Sequence, residues 1–302
     1  MLFITVHSTL KRNVQLGRLS SVIPCRINLI GMARLCRIYQ KGCVVLHMNI
    51  DLLSLGILLF FGFIASFLNA IVGGGGLISL PALMAIGLPP STAIATNKLA
   101  NTISNGTSML TFFRAGKVDF QKIRKILPFI FVGSLIGAYT VHLVSPAILK
   151  PLMLVMLVLV ASYTIWKKDW GQDPEQKVHS TAKKVLFIVA FAAIGFYDGF
   201  FGPGTGSFFI FVLLMIGNDF LQAAGNAKAF NFTSNLAALA MFLVLGEVNF
   251  LYGLPMGFVM IFGAILGSKF ALKRDATVMR YIFIAVTCTL IVKNAWDYFG
   301  AH

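Results

Sequence analysis

Long apolar segments rich in Leu, Ile and Phe follow one another from residue 52 onward, with short polar or glycine-rich breaks between them. They do not alternate apolar and polar residues, as the strands of a membrane barrel would. The pattern therefore predicts an all-α protein whose helices cross a membrane several times. The segments run roughly over 52–72, 77–88, 93–113, 126–144, 147–166, 185–202, 207–217, 220–245, 251–271 and 277–297.

The same order of segments occurs twice, at an offset of 130 residues, the separation of Lys98 from Lys228. Chance matches between apolar residues are common in such a chain, but matched Lys, Asn and Trp residues are not. We therefore predict two transmembrane repeats, 48–166 and 185–302, joined by a charged cytoplasmic linker, 167–184. The matched pairs include Gly74/Gly204, Gly76/Gly206, Lys98/Lys228, Asn101/Asn231, Asn105/Asn235 and Trp166/Trp296.

The second segment of each repeat is too short to span a membrane. Segment 77–88 would form about 18 Å of helix, against a hydrocarbon core of about 30 Å. It follows four consecutive glycines, 73–76. We expect a re-entrant hairpin, in which a helix, a glycine turn at membrane depth and a returning half-helix face protein or a wet cavity. About three spanning helices then remain per repeat, and an odd number inverts the second repeat relative to the first.

Basic residues in the loops agree with this inversion. The loop 114–125 carries five Lys or Arg residues, whereas its counterpart in the second repeat carries Glu247 and no basic residue. Segment 273–280 shows the opposite bias. The positive-inside rule then predicts that 114–125, 167–184 and 273–280 lie in the cytoplasm.

Composition excludes several classes of protein. Of 302 residues, 58% are hydrophobic and 12% are charged, which argues against a soluble enzyme, a disordered chain or a secreted disulfide scaffold. The net charge is +15, and residues 1–47 supply seven of these charges with no acidic residue. We expect that this basic extension is not part of the native chain and that translation starts at Met48; a targeting peptide is the alternative. No nucleic-acid fold signature accompanies the basic charge, so no nucleic-acid partner is predicted.

Polar residues recur on one face of the third segment in each repeat. A lysine near the middle of a spanning helix costs about 2.5–3.5 kcal/mol, so two at equivalent depth need a compensating benefit. We predict that the lysines face an anion. Lysines that cap a broken helix, and Asn and Ser that join helices, are the structural alternatives. The stripes are Asn97, Lys98, Asn101, Ser104, Asn105 and Ser108, and then Asn226, Lys228, Asn231, Ser234 and Asn235.

The glycine turns are a second candidate for anion binding. Segments 73–76 and 202–206 leave backbone N–H groups at the start of a half-helix, where the helix dipole favours an anion. Close helix packing explains the glycines equally well. Asp198 is the acid deep in an apolar segment, and it is expected to relay protons, contact substrate or pair with a lysine; a hydrogen bond to the glycine turn is the structural alternative. The sequence shows no metal-ligand spacing or catalytic triad, so no metal, cofactor or enzymatic activity is predicted.

Two motifs together are similar to a known family. The run from Phe63 to Gly76, with Pro81-Ala82-Leu83 and Asn97-Lys98-Leu99, and the second run from Gly195 to Pro203, with Asn226-Ala227-Lys228, resemble the TauE/SafE sulfite exporters of the YfcA type. The resemblance covers about 52–297. It implies a multi-pass transporter of the bacterial inner membrane for small anions, often sulfur oxyanions or organosulfonates. Relatives commonly carry Asp where this chain has Asn69, which leaves a coupling role to Asp198.

This resemblance and the residue pattern together predict an anion site between the repeats near the bilayer midplane, possible rivals being a membrane-embedded enzyme or a scaffold for an enzyme of sulfur metabolism. Asp198 would couple transport to protons. The oligomeric state is not predicted. The predicted substrate-binding residues are Lys98, Asn101, Asn105, Lys228, Asn231, Asn235, Gly74, Gly75, Gly76, Gly204, Thr205 and Gly206.

Overall fold

The computed structural model describes residues 52–145, 147–149, 152 and 181–273. Within these ranges the chain forms helices and no strand, which confirms the all-α prediction. The basic extension 1–47, most of the linker 167–184 and the predicted segment 277–297 lie outside the described residues. The helices are α1 Leu52–Val72, α2 Gly76–Ala85, α3 Pro90–Arg114, α4 Phe120–Ile123, α5 Leu127–Leu143, α6 Thr181–Phe200, α7 Thr205–Met215, α8 Phe220–Leu245 and α9 Phe250–Lys273.

Three of the described helices are long and apolar enough to cross a membrane by length and composition: α1 over Leu52–Ile71, α8 and α9. Helix α3 has 25 residues and is therefore about 37 Å long, but its polar face lowers its hydropathy. The short α2 and α7 have 10 and 11 residues, as expected for half-helices. A multi-pass membrane protein follows from these helices.

The helices recur along the chain in the way the sequence predicts. The starts of α3 and α4, at Pro90 and Phe120, are each 130 residues before the starts of α8 and α9, at Phe220 and Phe250. One element differs, because the segment that is broken into α4 and α5 in the first copy is the single helix α9 in the second. The opposite membrane orientation of the two copies stays a prediction.

The two copies exchange their last helices. Helix α5 packs on α6, and α9 packs on α1. Glycines make these contacts close: a Cβ atom added to Gly133 would overlap the Ala192 carbonyl oxygen, and one added to Gly263 would overlap that of Phe63. The repeats are therefore interlocked, and the polar faces of the long helices α3 and α8 meet between them.

Equivalent hydrogen bonds fix the turn that follows each long helix. The Asp119 backbone N–H donates to Asn226 Oδ1 over 2.9 Å, and the Asn249 N–H donates to Thr96 Oγ1 over 3.0 Å. Thr96 and Asn226 are themselves 130 residues apart. Asn226, which belongs to the polar stripe of α8, thus holds a loop rather than facing the centre.

Candidate functional site

The two glycine turns touch at the centre of the molecule. Gly73 ends α1 with φ +86°, and Gly206 lies in the first turn of α7. A Cβ atom on either glycine would overlap the backbone of the other, and a Cβ atom on Gly76 would come within 2.9 Å of Pro203 Cα. Close backbone packing therefore explains these glycines, and it also places the starts of α2 and α7 side by side.

A polar cavity lies beside this contact, with an empty volume of about 280 Å³. Ligand pockets typically measure about 300–1,000 Å³, so the cavity suits a small ligand. Both repeats contribute to its wall. The lining residues are Asn69, Gly73, Gly76, Asn97, Lys98, Asn101, Asn105, Asp198, Gly202, Gly206, Asn231 and Asn235.

Asp198 lies at one wall of the cavity with every carboxylate oxygen engaged. Its Oδ1 accepts hydrogen bonds from Lys98 Nζ and Thr205 Oγ1, both at 3.0 Å. Its Oδ2 accepts from Asn235 Nδ2 at 3.2 Å. Lys98 Nζ also donates to the Asp198 backbone carbonyl. A buried ion pair of this kind is held only where further hydrogen bonds satisfy the remaining lone pairs, as they do here.

Lys228 is placed differently, although it is the repeat equivalent of Lys98. Its Nζ donates to the backbone carbonyl of Asn69. Among the residues that the structure describes, Lys228 forms no ion pair with a carboxylate. The Asn69 side chain occupies the place of the acid and donates from Nδ2 to Asn105 Oδ1 at 2.9 Å.

Two buried amide groups at the cavity have no hydrogen-bond partner in the described part of the chain: Asn231 Nδ2, a donor, and Asn97 Oδ1, an acceptor. Asn231 Nδ2 lies 3.0 Å from the position of a Cβ atom on Gly206, so it sits over the first turn of α7. The N–H groups of a first turn have no partner within their own helix. A buried donor left unsatisfied costs about 1–3 kcal/mol, and a ligand that accepts hydrogen bonds would recover this energy.

A family model described as "Sulfite exporter TauE/SafE" matches residues 58–294, which span both halves of the cavity wall. The chain belongs to the TauE/SafE family. It is therefore a membrane transporter and not an enzyme, as predicted. No solved structure matches the chain.

Relatives in several bacteria carry similar names. A Haemophilus influenzae "Probable membrane transporter protein" is 36% identical over 253 residues, which cover 83% of this chain and 98% of the relative. The Sinorhizobium "Probable membrane transporter protein ORF9" is 34% identical and covers 78% and 90%. The Escherichia coli "Probable membrane transporter protein YfcA" is 32% identical and covers 82% and 92%. The predicted resemblance is confirmed.

The structure of this TauE/SafE protein brings most of the predicted site residues to one cavity. Thr205 lies behind Asp198, and Gly75 packs on Ala65 and Asn69. Gly74, Gly75, Gly204, Thr205 and Lys228 are not part of the lining. The lining residues among the predicted set are Lys98, Asn101, Asn105, Asn231, Asn235, Gly76, Gly206 and Asp198.

Asn69 is the main site residue that the repeat analysis does not place. An offset of 130 aligns Asn69 with Gly199, yet Asn69 and Asp198 have the same surroundings. Each lies four residues before a glycine of positive φ, Gly73 or Gly202. The second turn is one residue longer, so the first helix of each repeat matches at 129 rather than 130. A one-residue gap in the repeat comparison would reveal this pair.

Proposed function

We propose that this TauE/SafE protein moves small anions, of the class of sulfite, related sulfur oxyanions or organosulfonates, across the bacterial inner membrane. The observation that carries the proposal is the buried, unpartnered Asn231 Nδ2 over the first turn of α7, inside the central cavity. An oxyanion offers several acceptor oxygens to such donors.

The surroundings of that donor favour negative charge. The half-helices α2 and α7 both direct their N-termini toward the cavity through Gly76 and Gly206. A helix N-terminus carries about +0.5 elementary charge, and its N–H groups bind oxyanions. Lys98 lies in the wall, and Lys228 lies behind Asn69. Charge-assisted hydrogen bonds from such groups are about twice as strong as neutral ones.

Asp198 supplies a route to proton coupling in this proposal. An anion that draws the Lys98 ammonium away leaves the Asp198 carboxylate without its cation in a buried place. The carboxylate would then take up a proton, so anion and proton move together. Release of the anion returns Lys98 to Asp198 and expels the proton. Two inverted repeats that rock against each other would expose the cavity to the two sides in turn.

Transport by purified protein in proteoliposomes tests the proposal. The anions are sulfite, thiosulfate, an organosulfonate and a carboxylate, each with and without a pH gradient. We expect uptake of at least one sulfur anion, stimulated by the gradient in wild type and independent of the gradient in Asp198→Asn.

Two variants that each remove an unpartnered buried polar group serve as a matched pair. Asn231→Ala should raise the KM for the transported anion, because it removes the cavity donor. Ser268→Ala removes a similarly unpartnered hydroxyl on α9, outside the cavity lining, and should transport as wild type does. Equal transport by all three proteins would show that the cavity is not the anion site.

A further inference from the structure

The described part of the protein buries three ionisable side chains: Lys98, which is 1% exposed, Asp198, which is 2% exposed, and Lys228, which is fully buried. The other Lys, Arg, Asp and Glu side chains whose exposure is described are partly or fully exposed. The buried core therefore contains two cationic groups and one anionic group.

These three groups are the remains of a symmetric arrangement. Asp198 and Asn69 occupy equivalent positions, and the backbone carbonyl of each accepts a hydrogen bond from the lysine of the other repeat. Their side chains also bond equivalent asparagines, since Asn235 donates to Asp198 and Asn69 donates to Asn105. One position carries a carboxylate and the other a neutral amide of the same size. The acid neutralises Lys98, and nothing comparable neutralises Lys228 among the described residues.

We propose that this imbalance makes the site selective for ligands with one negative charge. The inference rests on the proposed function and specifies its substrate class. With both lysines protonated and Asp198 ionised, the buried groups sum to +1. A monoanion brings the sum to zero. A dianion brings it to −1, which leaves an uncompensated charge in a place without water, where such a charge is expensive.

The geometry lets the ligand respond to Lys228 although that side chain is not in the cavity wall. Asn69 lies between them, since it lines the cavity and accepts from Lys228. Asn231, the unpartnered donor, lies one helical turn after Lys228 on α8. The Lys98 charge is already balanced at 3.0 Å by Asp198. Lys228 therefore provides the net charge that the ligand meets.

Methanesulfonate and sulfate form a suitable pair of probes, because both are small and tetrahedral at sulfur but carry one and two charges near neutral pH. Binding to the purified wild-type protein in detergent is measured by calorimetry and by the shift of the unfolding temperature. We expect methanesulfonate to bind at least about tenfold more tightly than sulfate, a difference of about 1.4 kcal/mol.

Isosteric exchanges at the two equivalent positions change the charge sum while keeping the side-chain size. Asp198→Asn raises the sum to +2 and should shift the preference toward sulfate. Asn69→Asp lowers the sum to zero and should weaken binding of both anions by about tenfold or more. The double variant Asn69→Asp/Asp198→Asn moves the carboxylate to the other repeat, keeps the sum at +1 and should return the preference for methanesulfonate.

The outcomes separate this inference from the function on which it rests. Equal binding of the two anions by wild type, or an unchanged preference in Asp198→Asn, overturns the charge selectivity while the anion site stands. If neither probe binds to wild type or enters proteoliposomes, the anion site itself is wrong. The wild-type comparison needs no substitution, so a variant that fails to fold does not decide the result.

Discussion

Lys98 and Asp198 form a buried ion pair between the two repeats, with 3.0 Å between Nζ and Oδ1. The lysine comes from α3 and the acid from α6, so the pair joins the helix of one repeat to the hairpin of the other. Thr205 holds the same Oδ1 from the start of α7. The pair therefore fixes the position of the second glycine turn as well as the charge of the cavity.

Removing one partner of this pair should destabilise the fold more than removing both. Lys98→Met leaves a buried carboxylate without its cation and should lower the free energy of unfolding by about 3–5 kcal/mol. Lys98→Met/Asp198→Asn removes both charges and should recover most of that loss. Thermal unfolding in detergent measures the difference. A double variant that is as unstable as the single one would show that the pair contributes packing rather than charge.

The contact between the glycine turns should tolerate no side chain. Gly73 and Gly87 have nearly the same φ, +86° and +87°, but a Cβ atom on Gly73 meets the backbone of Gly206, whereas one on Gly87 meets nothing within 4 Å. Gly87→Ala should cost about 1–2 kcal/mol for its left-handed backbone and keep transport. Gly73→Ala has the same backbone cost and must also separate α1 from α7. We expect it to abolish transport.

The yield of folded protein on size exclusion and the rate of anion uptake compare these two variants. Similar behaviour of Gly73→Ala and Gly87→Ala would mean that the turns need glycine for its backbone angle alone.

Two buried asparagines of α8 should fail in different ways. Asn226 Oδ1 accepts the Asp119 N–H and lies outside the cavity lining. Asn226→Leu should therefore lower stability by about 1–3 kcal/mol and leave the KM for the anion unchanged. Asn231→Ala loses a donor that has no protein partner among the described residues, so it should change the KM more than the stability. Unfolding temperature and KM, measured on both variants, separate the two roles. An increased KM in Asn226→Leu would place that residue at the site instead.

The two repeats should face opposite sides of the membrane. Reporter fusions after residues 117 and 247, which are equivalent positions, should report cytoplasmic and periplasmic locations respectively. Fusions after 175 and 275 should be cytoplasmic, and a fusion after 302 periplasmic. The reason is the basic charge of 114–125 against the absence of Lys and Arg around Glu247. A periplasmic reading at 117 or a cytoplasmic one at 302 would contradict the inverted arrangement.

The apolar periodicity and the paired polar residues suffice to predict the helices and most of the cavity lining. They predict the half-helices because a segment of about 18 Å cannot cross the membrane. They do not predict which lysine pairs with the acid, because Lys98 and Asp198 are 100 residues apart and only the packing of α3 on α6 and α7 decides the partner. They misplace Asn226, since a helical stripe does not distinguish a residue that faces a cavity from one that holds a loop.

The exchange of last helices also sets a schedule for biosynthesis. The Ser66 hydroxyl on α1 donates to the Met260 carbonyl on α9, 194 residues further along the chain. At about 5–20 residues per second, roughly 10–40 s pass between synthesis of α1 and arrival of its partner helix. During that interval the groove on α1 that later receives the α9 glycines must be covered by lipid or by the insertion machinery. The glycine turn of α1 therefore closes late, when the ribosome has almost finished the chain.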